Sequence, residues 1–157
     1  MARVADSKEA VRLRRLGMYP LNTRFLIVDD QSSMRKTICD ILAEMGYHNS
    51  VQAEDGQNAF DILKLHANSK NAIEFIVSDW NMPIMTGLDL LKKCRGSIQF
   101  KDIPFMLVTG EREQSQIVEA AKAGVSDYLL KPFSAIKIKD KIEKIYIKNP
   151  SSARKAA

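Results

Sequence analysis

The sequence predicts an α/β fold: a doubly wound, five-stranded parallel sheet with helices on both faces. Three observations lead there. Short apolar runs at 25–28, 51–53, 75–78, 105–108 and 128–130 alternate with stretches of helical spacing. The 157 residues are 45% hydrophobic and 27% charged, enough for one sizeable core and no second one. Right-handed crossovers between parallel strands favour the order 2-1-3-4-5, with a switch point between the first and third strands.

Each element has its own local reason. Positions 1–21 form a basic extension in which Arg3, Lys8, Arg12, Arg14 and Arg15 outweigh Asp6 and Glu9. Asp6 can cap a short helix, with Glu9 three residues on and Val4, Val11 and Leu16 as a thin apolar stripe. We expect a loosely held surface segment, closed by Pro20. Phe25-Leu26-Ile27-Val28 is continuously apolar and reads as a strand buried on both faces; Asp29-Asp30 stops it. Ser32 and Ser33 can cap the following helix, whose inner face is Ile38, Ile41, Leu42 and Met45, with Gly46 at its end.

A short strand at 51–53 precedes a helix over 56–66 that turns Ala59, Phe60 and Leu63 inward. Polar, turn-rich residues at 66–71 make a loop. The third strand ends at Asp79 and runs at once into Trp80-Asn81-Met82-Pro83; a helix over 87–95 follows, led by Leu88, Leu90 and Leu91. Thr109-Gly110 stops the fourth strand, and a helix over 113–123 ends before Gly124. The fifth strand ends at Lys131-Pro132. Ser134 caps the last helix, where Ile138, Ile142, Ile145 and Tyr146 recur at helical spacing beneath Lys137, Lys139, Lys141, Lys144 and Lys148. The expected organisation is therefore the extension at 1–21, one domain at 22–149, and a flexible tail at 150–157.

Composition narrows the function. No apolar stretch has the length of a bilayer span and no signal peptide is visible, so we expect a cytoplasmic protein. Cys39 and Cys94 lack metal-ligand spacing and read as reduced core thiols. The net charge of +5 suits an acidic protein as well as a nucleic acid. No helix-turn-helix fits, and no Gly-x-Gly-x-x-Gly follows the first strand. A phosphatase of the haloacid dehalogenase type needs an Asp-x-Asp motif there, and Asp29-Asp30 lacks the spacer.

The chemistry gathers at the strand ends. Asp29, Asp30 and Asp79 leave the first and third strands, the two that flank the switch point, and should share one crevice. Three carboxylates held together repel one another unless a cation joins them. An all-oxygen set without histidine or thiol selects a hard ion such as Mg²⁺. Lys131 adds a mobile cation and Thr109 a hydroxyl. These are the parts needed for phosphoryl transfer through an aspartyl phosphate. Taken singly, Asp29-Asp30 reads equally well as helix-capping acids, while Thr109 reads better as a turn or cap residue and Lys131 better as a solvated charge.

Val28-Asp29-Asp30, Asp79-Trp80-Asn81-Met82-Pro83 with Gly87, Val108-Thr109, Tyr128 and Lys131-Pro132-Phe133 resemble the receiver domain of two-component response regulators, and within it the single-domain chemotaxis members. The resemblance runs from about position 23 to 148 and implies a flavodoxin-like (βα)5 fold. It implies that Asp79 is the phosphoacceptor. It also implies that Asp30 and Asp79 ligate Mg²⁺ by side chain, Asn81 by its carbonyl, and Asp29 mainly through water. Thr109 and Lys131 would bind the phosphoryl group, and Tyr128 would be an aromatic switch. Asn81 and Glu111 would tune dephosphorylation. The output face would span 114–148 and include Gln114, Ile117, Tyr128 and Lys141. The extension before Asn22, the long 66–74 loop, Thr86 and Gln114 depart from the family pattern, the last two where partners are chosen.

The resemblance implies a signalling switch rather than a metabolic enzyme. A histidine kinase would supply the phosphoryl group, a flagellar motor switch protein or another phospho-dependent target would read it, and a phosphatase is a further expected partner. A stand-alone phosphorelay intermediate or phosphate sink is the alternative. We expect no nucleic-acid or membrane contact, and we expect a monomer, because each strong apolar stripe has a place in the core.

Overall fold

The computed structural model describes residues 8–110 and 114–149. The elements are α1 (Lys8–Arg15), β1 (Arg24–Val28), α2 (Ser32–Glu44), β2 (Asn49–Ala53), α3 (Gly56–His66), β3 (Phe75–Asp79), α4 (Gly87–Arg95), β4 (Phe105–Thr109), α5 (Gln114–Ala123), β5 (Asp127–Leu130) and α6 (Ala135–Lys148). The strands form one parallel sheet in the order β2-β1-β3-β4-β5, as the alternation predicts.

Strand alternation divides the core in two. Leu26, Val28, Ile76, Phe105 and Leu107 pack on one face with α3, α4 and α5. Phe25, Ile27, Phe75, Val77, Met106, Val108 and Leu129 pack on the other with α2 and α6. The central strands β3 and β4 are buried at every residue, which is why their runs are unbroken in apolar character. The edge strands β2 and β5 are only partly covered.

Two local expectations give way. Ser32 and Ser33 lie inside the first turn of α2 rather than capping it. Gln31 is the N-cap residue and gives no side-chain bond. The Gln31 N–H donates to Asp29 Oδ1 at 2.8 Å, so the carboxylate at the strand end fixes the turn into α2 and no side chain caps the helix itself. At the other end of α2, Gly46 has φ +98°, and the Tyr47 N–H returns to the Leu42 carbonyl.

The segment before Asn22 is not loose along its whole length. Tyr19 is 1% exposed; its ring packs edge-on against Phe75 and Tyr146, and its carbonyl accepts the Tyr47 hydroxyl at 3.0 Å. Leu16, by contrast, remains 58% exposed, so the apolar stripe expected on α1 is not buried there. Val4, Asp6 and Glu113 lie outside the described residues.

Candidate functional site

Register brings the strand ends level. Val28 pairs with Ser78, Asp79 with Val108, and Thr109 with Leu130. Asp29, Asp79, Thr109 and Lys131 therefore emerge along one edge of the sheet. Asp29, Asp30 and Asp79 each offer a carboxylate oxygen within 4.8 Å of the others. Asp29 and Asp79 are buried and Asp30 is exposed, so the crevice is open on one side.

The chain holds these acids from several directions. Asp79 Oδ1 accepts the Trp80 N–H at 2.9 Å and the Lys131 ammonium at 3.2 Å. The same ammonium lies 3.9 Å from Asp29 Oδ2. Arg35, one turn into α2, donates Nη1 to the Asp29 carbonyl at 2.7 Å and Nε to Gln52 at 3.0 Å. It ties the end of β1 to β2. Nothing in the spacing of Arg35 from Asp29 signals this contact; it follows from the packing of α2 over the β1–β2 edge.

Electrostatics agree with the geometry. Burial pushes the Asp29 carboxyl up to about 6; the Gln31 N–H acts against it and the Asp79 charge adds to it. Burial also raises Asp79, and Lys131 opposes that rise by its charge and its hydrogen bond. Two buried acids raised together are a set that favours a proton or a cation. The donors are all hard oxygens, and Asp79 Oδ1 and Asp29 Oδ1 are already engaged by N–H groups. The three clustered carboxylates together fit a small divalent ion such as Mg²⁺.

The remaining residues fall as follows. Thr109 is buried at the end of β4, and its carbonyl accepts the Lys131 N–H at 2.9 Å. Asn81 is exposed in the loop after β3, beside the buried Trp80 and Met82. The Lys131–Pro132 peptide is cis. Tyr128 is half-buried in β5, with Lys141 Nζ 5.1 Å from its ring centroid. Gln114 is exposed and Ile117 half-buried on α5. Glu111 lies outside the described residues.

Close packing behind the site explains Gly87. A Cβ there would lie 2.0 Å from the Asp79 carbonyl oxygen, and the Gly87 N–H donates to the Trp80 carbonyl at 2.9 Å. Only a bare backbone lets α4 start this close to the end of β3.

A family model, that of the response regulator receiver domain, matches residues 25–143. Chemotaxis protein CheY-3 of Vibrio cholerae is 43% identical over 125 residues, covering 80% of this chain and 92% of that protein. Chemotaxis protein CheY of Pseudomonas aeruginosa is 46% identical over 123 residues, covering 78% and 95%. Among solved structures, Vibrio cholerae CheY4 superposes with a TM-score of 0.71 at 29% identity, over 79% of this chain and 98% of that one.

Proposed function

Because the chain belongs to the response regulator receiver domain family, with CheY proteins among its relatives, we propose that it is a phosphorylation switch carrying a chemotaxis signal in the cytoplasm. Asp79 is the phosphoacceptor. The observation that carries this reading is the Lys131 ammonium held between Asp79 and Asp29 at the rim of three clustered carboxylates.

The step follows from that placement. Asp79 Oδ1 is occupied by two donors, which leaves Oδ2 to attack the phosphorus of a phosphohistidine or small phosphodonor. The new O–P bond forms as the bond to the donor's nitrogen or oxygen breaks, and the leaving group takes the electron pair. Lys131 turns from Asp79 to a phosphoryl oxygen, and the Thr109 hydroxyl donates to another. Asp30, Asp79 and the Asn81 carbonyl, with Asp29 acting mainly through water, would hold Mg²⁺, which would supply charge neutralisation at the phosphoryl oxygens. Hydrolysis reverses the loss: a water attacks phosphorus and Asp79 leaves as a carboxylate. Asn81 and Glu111 match, by resemblance, the family positions that flank that water's approach, so a bulky or basic residue at either position should lengthen the phospho-form. Unchanged decay in both variants removes them from that role.

Readout belongs to Tyr128 and its surroundings. By strand alternation Thr109 and Tyr128 face the same side of the sheet, since Leu107 pairs with Tyr128. A Thr109 drawn toward a phosphoryl group vacates space on the side where the Tyr128 ring lies. The face formed by α5, β5 and α6, including Gln114, Ile117 and Lys141, presents the change to a motor switch protein or another phospho-dependent target.

Trp80 adjoins Asp79 and is the sole tryptophan, so its fluorescence tests the proposal. Adding Mg²⁺ and then acetyl phosphate or a beryllium fluoride mimic should change the emission of the wild-type protein and leave Asp79→Asn unmoved by the donor. A donor response that survives Asp79→Asn rejects Asp79 as acceptor. Capture of the chain by a motor-switch peptide only in the phosphorylated state separates the motor reading from a phosphorelay or phosphate-sink role.

A further inference from the structure

We propose that Asp127 is a positioning residue for Tyr128, acting through Lys141. Asp127 Oδ1 accepts the Tyr128 N–H at 2.8 Å and the Lys141 ammonium at 3.0 Å. That ammonium also lies 5.1 Å from the centroid of the Tyr128 ring, within range of a cation–π contact. The two charged side chains are largely covered, Lys141 18% and Asp127 13% exposed, so this is not a solvated surface pair.

The geometry explains why a carboxylate is needed. Successive strand residues point to opposite faces, so Asp127 projects toward α6 while Tyr128 packs with the α5-side core. β5 is the edge strand, and Lys141 reaches from α6 around that edge to touch both. A four-carbon stem with a hydrated head does not stay over a ring face unaided. Asp127 anchors the head, and its own oxygen is steadied by the Tyr128 backbone. Carboxylate, ammonium and ring form a latch in which the ring's place depends on a residue it does not touch through its own side chain. The consequence for switching rests on the reading of Tyr128 given above. A ring that turns away gives up the ammonium, so Asp127 biases the protein against the switched form.

The test uses NMR of the full chain, free of metal and phosphodonor, following the Tyr128 ring and the Lys141 ε-methylene. In wild type the ring should move the ε-protons upfield. Asp127→Asn should abolish most of that shift, Asp127→Glu should restore it, and Lys141→Met should give Tyr128 ring signals like those of Asp127→Asn. A role confined to holding α6 on β5 would leave the Lys141 shift in place in Asp127→Asn with Trp80 emission native, and that result overturns the proposal. So do wild-type Tyr128 signals in both Asp127→Asn and Lys141→Met. Titrated with beryllium fluoride and Mg²⁺, Asp127→Asn should reach the switched Tyr128 signal at about five-fold lower mimic concentration. A wild-type Tyr128 that ignores the mimic rejects the switch reading and leaves the metal-free result standing.

Discussion

At the scale of single residues, the site is governed by burial. The Asp29 carboxyl, ordinarily near 3.8, is raised to about 6 by loss of solvent. The folded protein therefore binds that proton more tightly than the unfolded chain. Without metal, stability is therefore greatest below the lower value and falls as pH rises from about 4 through about 6, by on the order of 3 kcal/mol. Asp79, also raised by burial, adds in the same direction. Urea midpoints measured in chelator between pH 4.5 and 7.5 should show this fall, and Asp29→Asn should flatten it. Saturating Mg²⁺ should reverse it, because the ion takes the proton's place. A wild-type stability that climbs with pH in chelator contradicts the account.

At the scale of elements, the core strands were the easiest to read, because β1, β3 and β4 are buried on both faces and show unbroken apolar runs. The edges were harder. β2 begins at Asn49, which meets solvent, and β5 at Asp127, whose charge is answered by Lys141, so neither strand opens on an apolar residue. The cap of α2 was missed for a different reason. Two serines carry capping chemistry, but the helix starts at Ser32, which leaves Gln31 at the cap position with its N–H held by Asp29. Asp29, Asp30, Asp79, Thr109 and Lys131 could be picked out because strand ends are legible; Arg35 and Asp127 could not, because their contacts cross between elements. Gly87 is where element packing is least forgiving. Gly87→Ala should cost roughly 3 kcal/mol or more, since the obstructing atom is a backbone carbonyl that cannot swing aside. A midpoint within experimental error of wild type would mean that α4 slides freely on β3.

At the scale of the molecule, the surprise is how far the domain extends toward its amino terminus. Tyr19 is wedged between Phe75 and Tyr146 beneath the sheet. Tyr19→Ala should destabilise the whole protein by about 3–5 kcal/mol, read as a loss in thermal midpoint. If the midpoint does not move, the segment before Asn22 is dispensable to the core. The basic charge of α1 hid this anchor, because the aromatic that matters lies four residues past the helix and has no periodic partner in the sequence. Another whole-molecule feature is the division of labour between the two faces. Asp29, Asp79 and Lys131 share the strand parity of the α2–α6 side, whereas Thr109 and Tyr128 share that of the α5 side. On the proposed reading the mark is set at Asp79 on one side of the sheet and felt at Tyr128 on the other, with Thr109 as the residue that joins them. Writing and reading should be separable by mutation: damage confined to the reading side would yield a protein that still accepts its mark and tells no one.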